Sequence, residues 1–412
     1  MMNSLFESAL GIKTPWHIEN LQFDEANKTL IIEIDFKRGT RFAYPGIDGL
    51  HPVHDTQIKR YRHLNFFQHE CFLEVRVPRV KLPDGTVKII EPEWSGKLDG
   101  FTLLFEALVV FLAQHSTFAF VANLLKISWH RVHAICTKYV NIALEHADLS
   151  EIHSIAIDET SCKKGHEYLT IVADMTQRRV VHVTPGKDAK TIDSFATYLQ
   201  AHQGTPGQIT SVSIDMSPAF IKGVSESLPD AQVTFDKFHV IAHASTALDE
   251  TRRSEQKHES VLKGARWPLL KDTSHLNPEQ REDRDILFAK HAQLRTVRAW
   301  CYREDLRDTL ECKQIHVMEK KLKQWCTNVM RSKVEKMKRV AKMIRKHMDG
   351  IVQWARSRQT NGYIEALNGL FQAAKRKARG YTRFDTMRTV LFLIGGKLDF
   401  SSINPHVESY GR

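Results

Sequence analysis

Three acidic residues in this chain have surroundings that would let their carboxylates act together. Asp158 and Asp215 each follow a short apolar run, and Glu365 lies in a segment with helical periodicity. Hard divalent cations prefer carboxylate oxygens, and two cations about 4 Å apart can promote an in-line phosphoryl transfer. We therefore interpret Asp158, Asp215 and Glu365 as a candidate site for two Mg²⁺ or Mn²⁺ ions.

The elements that must position these acids are strands of one sheet. Apolar runs bounded by polar residues predict buried strands, so both aspartates should lie where a strand leaves the sheet. Residues 151–245 predict three strands, a helix capped by Thr191, a fourth strand, a helix after Pro218 and a fifth strand. That order is typical of an RNase H-like domain, in which the first and fourth strands are neighbours and would bring Asp158 and Asp215 together. The alternative, that each aspartate only caps a helix or turn, remains open.

The segment around Glu365 predicts a helix with an apolar face and a polar face. The apolar face consists of Ile364, Leu367, Phe371 and Ala374. The polar face consists of Asn361, Glu365, Asn368 and Gln372. A basic cluster follows, made of Lys375, Arg376, Lys377 and Arg379. Such a cluster can hold phosphates beside the acids, although a solvated helix end is the plainer interpretation.

Residues 116–147 predict a helix-turn-helix. The turn lies at Lys126, Ser128 caps the second helix, and Val132, Ile135 and Tyr139 would pack against the first helix. This leaves the polar start of the second helix to enter a DNA groove. The candidate DNA-binding residues there are Ser128, Trp129, His130, Arg131 and His133, with Lys138 further along. An ordinary helical hairpin in a bundle is the alternative.

The fold class predicted for the whole chain is α/β and multidomain, with an RNase H-like mixed sheet. We expect a small β-rich domain with two hairpins over residues 1–95, the helix-turn-helix over 96–150, and the first part of the catalytic core over 151–245. An α-helical insertion would follow over residues 246–350, and the last part of the core over 351–412. Trp267, Trp300 and Trp325 are candidate anchors of the insertion. Residues 331–346 carry eight Lys or Arg against one Glu, and either track a DNA backbone or form a solvated face.

Composition restricts the class of protein. The chain has 412 residues, 42% of them hydrophobic, and a formal charge of +11, which favours a polyanionic partner such as nucleic acid. Its six cysteines form no Cys-x-x-Cys pair, as expected of reduced thiols in the cytoplasm. We expect neither a signal peptide nor a membrane span, because the first residues lack a basic region followed by an apolar core and no apolar run approaches 18 residues.

Several motifs, taken in chain order, resemble the DDE transposases of bacterial insertion sequences, and most closely the ISL3 branch. They lie at residues 62–64, 120–129, 156–159, 213–217, 236–240 and 361–368. The resemblance implies that Asp158, Asp215 and Glu365 are the metal-binding triad. It also implies that Asp236 and His239 form an acid-x-x-His motif beside it, with Asn361 and Asn368 near the site. The implied partners are the inverted-repeat ends and target DNA, bound by a homodimer or higher oligomer associated with the bacterial nucleoid.

The chain departs from that family in its N-terminal domain. Such proteins usually carry two zinc knuckles there, but the corresponding residues, 44–47 and 82–85, contain no cysteine. We therefore predict a domain of the same shape without zinc, stabilised by apolar packing. His51, His54, His63 and His69 are the alternative ligands, but their spacing matches no standard tetrahedral site, so we expect surface or loop histidines.

The predicted activity is hydrolytic nicking of a transposon end, followed by attack of the freed 3′-hydroxyl on a phosphodiester. Two other classes of protein remain open. A non-catalytic or domesticated DNA-binding protein would keep the helix-turn-helix but need not keep all three acids. An RNase H-like, structure-selective nuclease would cut DNA without joining it.

Overall fold

The computed structural model describes residues 2–163, 167–357 and 362–410 of the chain. Alternating apolar residues near the start of the chain form a mixed sheet. The elements of this region are α1 (Met2–Leu10), β1 (Trp16–Asp24), β2 (Thr29–Phe36), β3 (Arg41–Tyr44), β4 (Ile47–Phe66), β5 (His69–Lys81) and β6 (Val87–Ile89). The strand order is β1-β2-β5-β4-β3, and β6 pairs with β5. Both predicted hairpins, β1–β2 and β5–β6, are confirmed.

The long strand β4 was not predicted, because its partners are set by tertiary pairing. It pairs with β3 at one end and with β5 along most of its length. His51, His54 and His63 all lie in β4, and His51 is buried. The expectation of surface or loop histidines is therefore wrong for His51.

An apolar cluster occupies the region around residues 44–47 and 82–85, where the sequence lacks the cysteines of a zinc knuckle. Residues 44–47 and 82–85 form the turns between β3 and β4 and between β5 and β6. The buried members of the cluster are Phe36, Phe42, Val80 and Leu82, and Trp16, Tyr44, Ile47, Val53 and Ile90 pack against them. Side chains from both turns thus share one core, and the predicted apolar packing is confirmed.

Replacing Leu82 with alanine should lower the free energy of unfolding by about 2–5 kcal/mol, because the substitution leaves a cavity in this cluster. The exposed neighbour Lys81 offers a control, since Lys81→Ala should change stability by less than about 0.5 kcal/mol. Thermal unfolding of the full chain measures both. The same melt in the presence of a chelator should be unchanged. A chelator effect as large as that of Leu82→Ala would show that a metal stabilises this domain.

Three helices follow the sheet: α2 (Leu103–His115), α3 (Phe118–Leu125) and α4 (Trp129–Glu145). Lys126 adopts a left-handed conformation (φ +53°) and ends α3. Ser128 caps α4 by accepting a hydrogen bond from the amide of Arg131 at 3.3 Å. Val132, Ile135 and Tyr139 are fully buried. The predicted helix, tight turn and capped helix are confirmed.

A second sheet begins after residue 148. Its elements are β7 (Ser154–Lys163), β8 (Glu167–Asp174), β9 (Arg179–Pro185), α5 (Ala189–Ala201), β10 (Ser211–Ile214), α6 (Pro218–Ser227) and β11 (Gln232–Phe235). The strand order is β11-β10-β7-β8-β9. The predicted order of strands and helices is confirmed, and β7 and β10, the first and fourth strands, are parallel neighbours. This α/β sheet forms the base of the candidate site.

The start of α5 differs from the prediction by three residues. Asp188, not Thr191, occupies the N-cap position. The Thr191 hydroxyl donates a hydrogen bond to the carbonyl of Asp188 at 2.7 Å, three residues back. Such a back-bond places Thr191 inside the first turn of the helix.

The predicted insertion is helical throughout its described elements, which are α7 (Lys237–Glu255), α8 (Arg266–Leu270), α9 (Pro278–Lys290), α10 (Arg295–Glu311), α11 (Ile315–Arg331), α12 (Glu335–Lys346) and α13 (Met348–Ser357). Trp325 is buried, and its indole N–H donates to the carbonyl of Tyr302 at 2.8 Å. Trp300 packs against Phe288. Trp267 is 54% exposed, so it is not the anchor that was predicted.

After the insertion the chain forms α14 (Gly362–Lys377) and α15 (Phe384–Gly395), and a short 3-10 helix follows at Pro405–Tyr410. It divides into two units, one made of residues up to 147 together with residues from 371 onward, and the other of residues 148–370. The division falls inside α14. None of the helices that the structure describes combines the length and apolarity needed to span a bilayer.

Candidate functional site

Asp158 lies within a strand and not at its end, which corrects the prediction. β7 continues to Lys163, and Asp158 still pairs with Ile171 of β8. On the other side of β7, however, pairing with β10 stops at Ala156 and Ser213. Asp158 therefore lies just beyond the edge of its parallel neighbour, where its side chain can meet residues that follow β10.

Asp215 is the residue immediately after β10. Its Oδ1 accepts a hydrogen bond from the amide of Ser217 at 3.0 Å, just before α6 starts at Pro218. The negative charge of Asp215 raises the pKa of Asp158. The structure thus places the two aspartates within electrostatic range of each other, although 57 positions separate them in the sequence.

Glu365 reaches the same region from α14. The apolar face of this helix is buried at Ile364, Leu367 and Phe371. On the polar face, Asn368 Nδ2 donates a hydrogen bond to Asp158 Oδ2 at 2.6 Å. One turn earlier, Glu365 Oε1 lies 3.9 Å from His239 Nε2. Asn361 lies outside the described residues.

Asp236 and His239 connect the end of β11 to this site. Asp236 is fully buried and caps α7, accepting a hydrogen bond from the amide of Phe238 at 2.8 Å. The cap fixes where α7 begins and so places His239 beside Glu365. His239 also lowers the pKa of Asp158 through its charge. The acid-x-x-His motif therefore adjoins all three elements that carry the candidate acids.

The carboxyl of Asp158 has an unusual electrostatic environment. Burial raises its pKa to about 6, and Asp215 adds to the increase. The hydrogen bonds from Glu159 and Asn368 and the charge of His239 act in the opposite direction. A carboxylate that is destabilised by burial and by a second acid is one that a cation would stabilise.

His243 is a further member of the site that the sequence reasoning missed. It lies one helical turn beyond His239 on α7, and its pKa is lowered by burial and by His239 but raised by Asp215. The signal available in the sequence was the spacing of His239 and His243 by four residues, which puts both side chains on one face of a helix.

Among the residues that the structure describes, no three His, Cys, Asp or Glu side chains are gathered closely enough to form a metal cage. The chemistry of the site nevertheless fits hard cations. Its donors are carboxylate oxygens from three elements, and the buried Oδ1 of Asn368 has no hydrogen-bond partner in the described part of the chain. Such an oxygen can accept from a water or contact a cation.

The predicted DNA-binding residues differ in how exposed their side chains are to solvent. Trp129, His130 and Arg131 are exposed at the start of α4, where Arg131 stacks on the ring of Phe101. His133 is half-buried. It stacks on Trp129 and makes a 3.1 Å hydrogen bond with the hydroxyl of Thr386, so its ring is already occupied.

The basic cluster after Glu365 lies at the end of α14 and just beyond it. Arg376, Lys377 and Arg379 are exposed, whereas Lys375 is half-buried. Three exposed cations within four residues fit contacts with phosphates.

Comparison with known proteins identifies the family. Residues 155–391 match the model of the ISL3 DDE domain, described as a transposase, and residues 90–140 match the helix-turn-helix domain of transposase family ISL3. The chain is 28% identical over 412 residues to the transposase for insertion sequence element IS1557 of Mycobacterium tuberculosis, covering 92% of each chain. It is 26% identical over 340 residues to the transposase for insertion sequence element IS1001 of Bordetella parapertussis, covering 80% of this chain and 82% of that protein. The first family model spans more than half of the chain. The protein therefore belongs to the ISL3 family of insertion-sequence transposases.

Proposed function

We propose that this transposase binds the terminal inverted repeats of its insertion sequence and catalyses metal-dependent cleavage and strand transfer. The observation that supports the proposal most directly is that α14, which carries Glu365, contacts the residues at the sheet edge where Asp158 and Asp215 lie. Asn368 and Glu365, one turn apart on α14, contact Asp158 and His239 respectively. A helix remote in sequence is thus directed at the same sheet edge that carries Asp158 and Asp215.

The strand order supports an RNase H-like core. Three antiparallel strands, β7, β8 and β9, are extended on the β7 side by the parallel strands β10 and β11. This arrangement agrees with the topology expected from the sequence. We propose on this basis that residues 151–245 form the first part of the core, that the start of α14 with Glu365 completes it, and that residues 246–350 are an insertion within it.

Asp158, Asp215 and Glu365 are the residues that would hold two Mg²⁺ or Mn²⁺ ions. When bound, such ions stabilise the charge that develops on the phosphate and activate the attacking hydroxyl. Asn368 and the amide of Glu159 each hold one oxygen of Asp158, which restricts rotation of the carboxylate. His239 orients Glu365, and the Asp236 cap fixes His239. These contacts restrict the carboxylate of Asp158 before any ion binds, while Glu365, whose side chain is 45% exposed, lies beside His239.

DNA recognition is assigned to a different part of the chain. Trp129, His130 and Arg131 at the start of α4 would read base edges, while Lys377 and its basic neighbours would contact phosphates. Acting on two ends of one element also calls for at least two copies of the chain, so we propose a homodimer or higher oligomer on DNA.

The decisive experiment uses the purified full chain, a labelled duplex carrying the element's terminal inverted repeat, and a target plasmid. In Mg²⁺ we expect a nick at the end of the element and a joined product with the plasmid, and EDTA should abolish both. Cleavage without joining would favour a structure-selective nuclease. Specific binding with neither reaction would favour a non-catalytic DNA-binding protein.

A further inference from the structure

The helices α7 and α12 of the insertion enclose a groove with charged walls. The cavity has a volume of about 280 Å³. Its polar lining consists of His243, Thr246 and Glu250 from α7 and of Lys336 and Arg339 from α12. All of these residues belong to the unit formed by residues 148–370.

The groove follows from the way the two helices pack. α12 buries Met337, Val340, Ala341 and Ile344, and α7 buries Val240, Ala244, Ala247 and Leu248. Because the apolar faces meet, the polar residues at their edges line the space between the helices. Lys336 and Arg339 lie three residues apart, so they form adjacent cations on one side of α12.

One carboxylate neutralises part of this charge. Glu250 Oε2 lies 2.5 Å from Arg339 Nη2 and 3.7 Å from Lys336 Nζ. The two cations remain 63% and 43% exposed, so solvent or a ligand can reach them. A single acid between two bases leaves a net positive charge, which suits a phosphate.

The groove begins at His243, one helical turn along α7 from His239 of the candidate catalytic site. His239, His243, Thr246 and Glu250 follow one another at spacings of four, three and four residues, so they form one stripe along α7. The stripe starts beside Glu365 and passes His243, which is within electrostatic range of Asp215. Eleven residues of helix span about 16 Å at 1.5 Å per residue. That length equals the rise of roughly five nucleotides of one B-form strand.

We propose that this groove binds the phosphate backbone of the DNA strand that leaves the candidate catalytic acids, with Lys336 and Arg339 as the phosphate ligands. Glu250 acts as an internal anion that forms ion pairs with both cations until a phosphate displaces it. The assignment of the strand rests on the proposed function, because it takes Asp158, Asp215 and Glu365 as the place where the strand is cut. The phosphate site itself rests only on the groove.

Glu250 would make DNA binding weaker but more selective. A phosphate must displace the carboxylate before it reaches Lys336 and Arg339, which reduces affinity for DNA that makes no other contacts. An exposed ion pair of this kind is a weak competitor, so its removal should change affinity only a few-fold.

The test measures binding without divalent ions, so it does not depend on cleavage. The probes are a labelled duplex that extends beyond the cleavage point on both sides and two duplexes truncated at that point, one on each side. Glu250→Gln should bind the full duplex about two- to fivefold more tightly. Lys336→Gln/Arg339→Gln should bind it about tenfold or more weakly, with a salt dependence reduced by about two counterions.

The control is Lys342→Gln, which removes one positive charge at an exposed position on α12 that does not line the groove. It should leave the affinity within about twofold of the original. On one of the truncated duplexes the double variant should bind as tightly as the unmodified protein, which identifies the side of the cleavage point whose DNA occupies the groove. Thermal unfolding confirms that each variant is folded.

The proposal is overturned if the double variant binds the full duplex as Lys342→Gln does, or if Glu250→Gln binds it more weakly than the unmodified protein. Failure of the proposed function has a different signature. The groove variants would then still change the affinity for the duplex, while substitution of the three acids would change neither cleavage nor joining of DNA.

Discussion

Asp158→Ala should reduce cleavage of the transposon end by about a thousandfold or more. Loss of a carboxylate that holds a catalytic cation removes several kcal/mol of transition-state stabilisation, and each 1.36 kcal/mol corresponds to a factor of ten in rate. Asp215→Ala and Glu365→Ala should have effects of the same order. Binding of the end in the absence of divalent ions should change little, because base and phosphate contacts are assigned to other residues. Single-turnover cleavage and equilibrium binding of one labelled duplex measure the two effects separately.

Two further variants make this prediction specific. Glu159→Ala removes the acid next to Asp158, and alternation along β7 places its side chain on the other face of the sheet, so cleavage should be nearly unchanged. Asn368→Ala keeps all three acids but removes the amide that holds Asp158, and should cost about 10–100-fold, as loss of a supporting contact usually does. Retained cleavage in any of the three alanine variants of the acids would falsify the assignment.

Glu106→Ala should destabilise the first unit by at least about 2 kcal/mol. Glu106 is fully buried, and its carboxylate accepts hydrogen bonds from the amides of Lys97 and Leu98 at 2.8 and 2.7 Å and from the hydroxyl of Tyr139 at 2.8 Å. Each donor that loses its partner while buried costs about 1–3 kcal/mol. Gly96 confirms the closeness of this loop, because a Cβ there would lie 2.6 Å from the Glu106 carboxyl carbon.

Hydrogen exchange provides the sharpest measurement for Glu106, since unfolding of two units need not be a single transition. The amide of Leu98 should exchange faster in Glu106→Ala, and the thermal unfolding of the first unit should occur at a lower temperature. Glu106→Gln keeps one acceptor oxygen and should show a smaller effect. Glu145→Ala, at an exposed position on α4, is the control and should leave both measurements unchanged. Equal stability of Glu106→Ala and Glu145→Ala would contradict the prediction.

Local patterns in the sequence were sufficient for most elements. The 3.6-residue and two-residue periods of apolar residues reflect which face of a helix or strand is buried, so they predicted the hairpins, the helix-turn-helix and the order of elements in the second sheet. The cap at Ser128 was predictable for the same reason, because its hydrogen bond closes within three residues. The family was also recognisable from motifs in chain order.

Contacts between remote segments could not be predicted in this way. Asp158 seemed to end a strand because the sequence does not show that β8 continues to pair beside it. His51 was assigned to the surface because the partners of β4 are set by two other strands. Trp267 was assigned as an anchor because its residue type, and not its environment, was visible.

The sequence by itself determined which residue types were available and on which local element each would lie, because propensity, capping and periodicity act over a few residues. Only the tertiary structure decided that Asn368 donates a hydrogen bond to Asp158, 210 positions earlier in the sequence. It also decided that His239 lies beside Glu365, and that Glu250 forms ion pairs with Lys336 and Arg339. These contacts depend on how helices pack on a sheet and on one another. That packing is fixed by the burial of apolar faces of the whole chain, and no short stretch of residues specifies it.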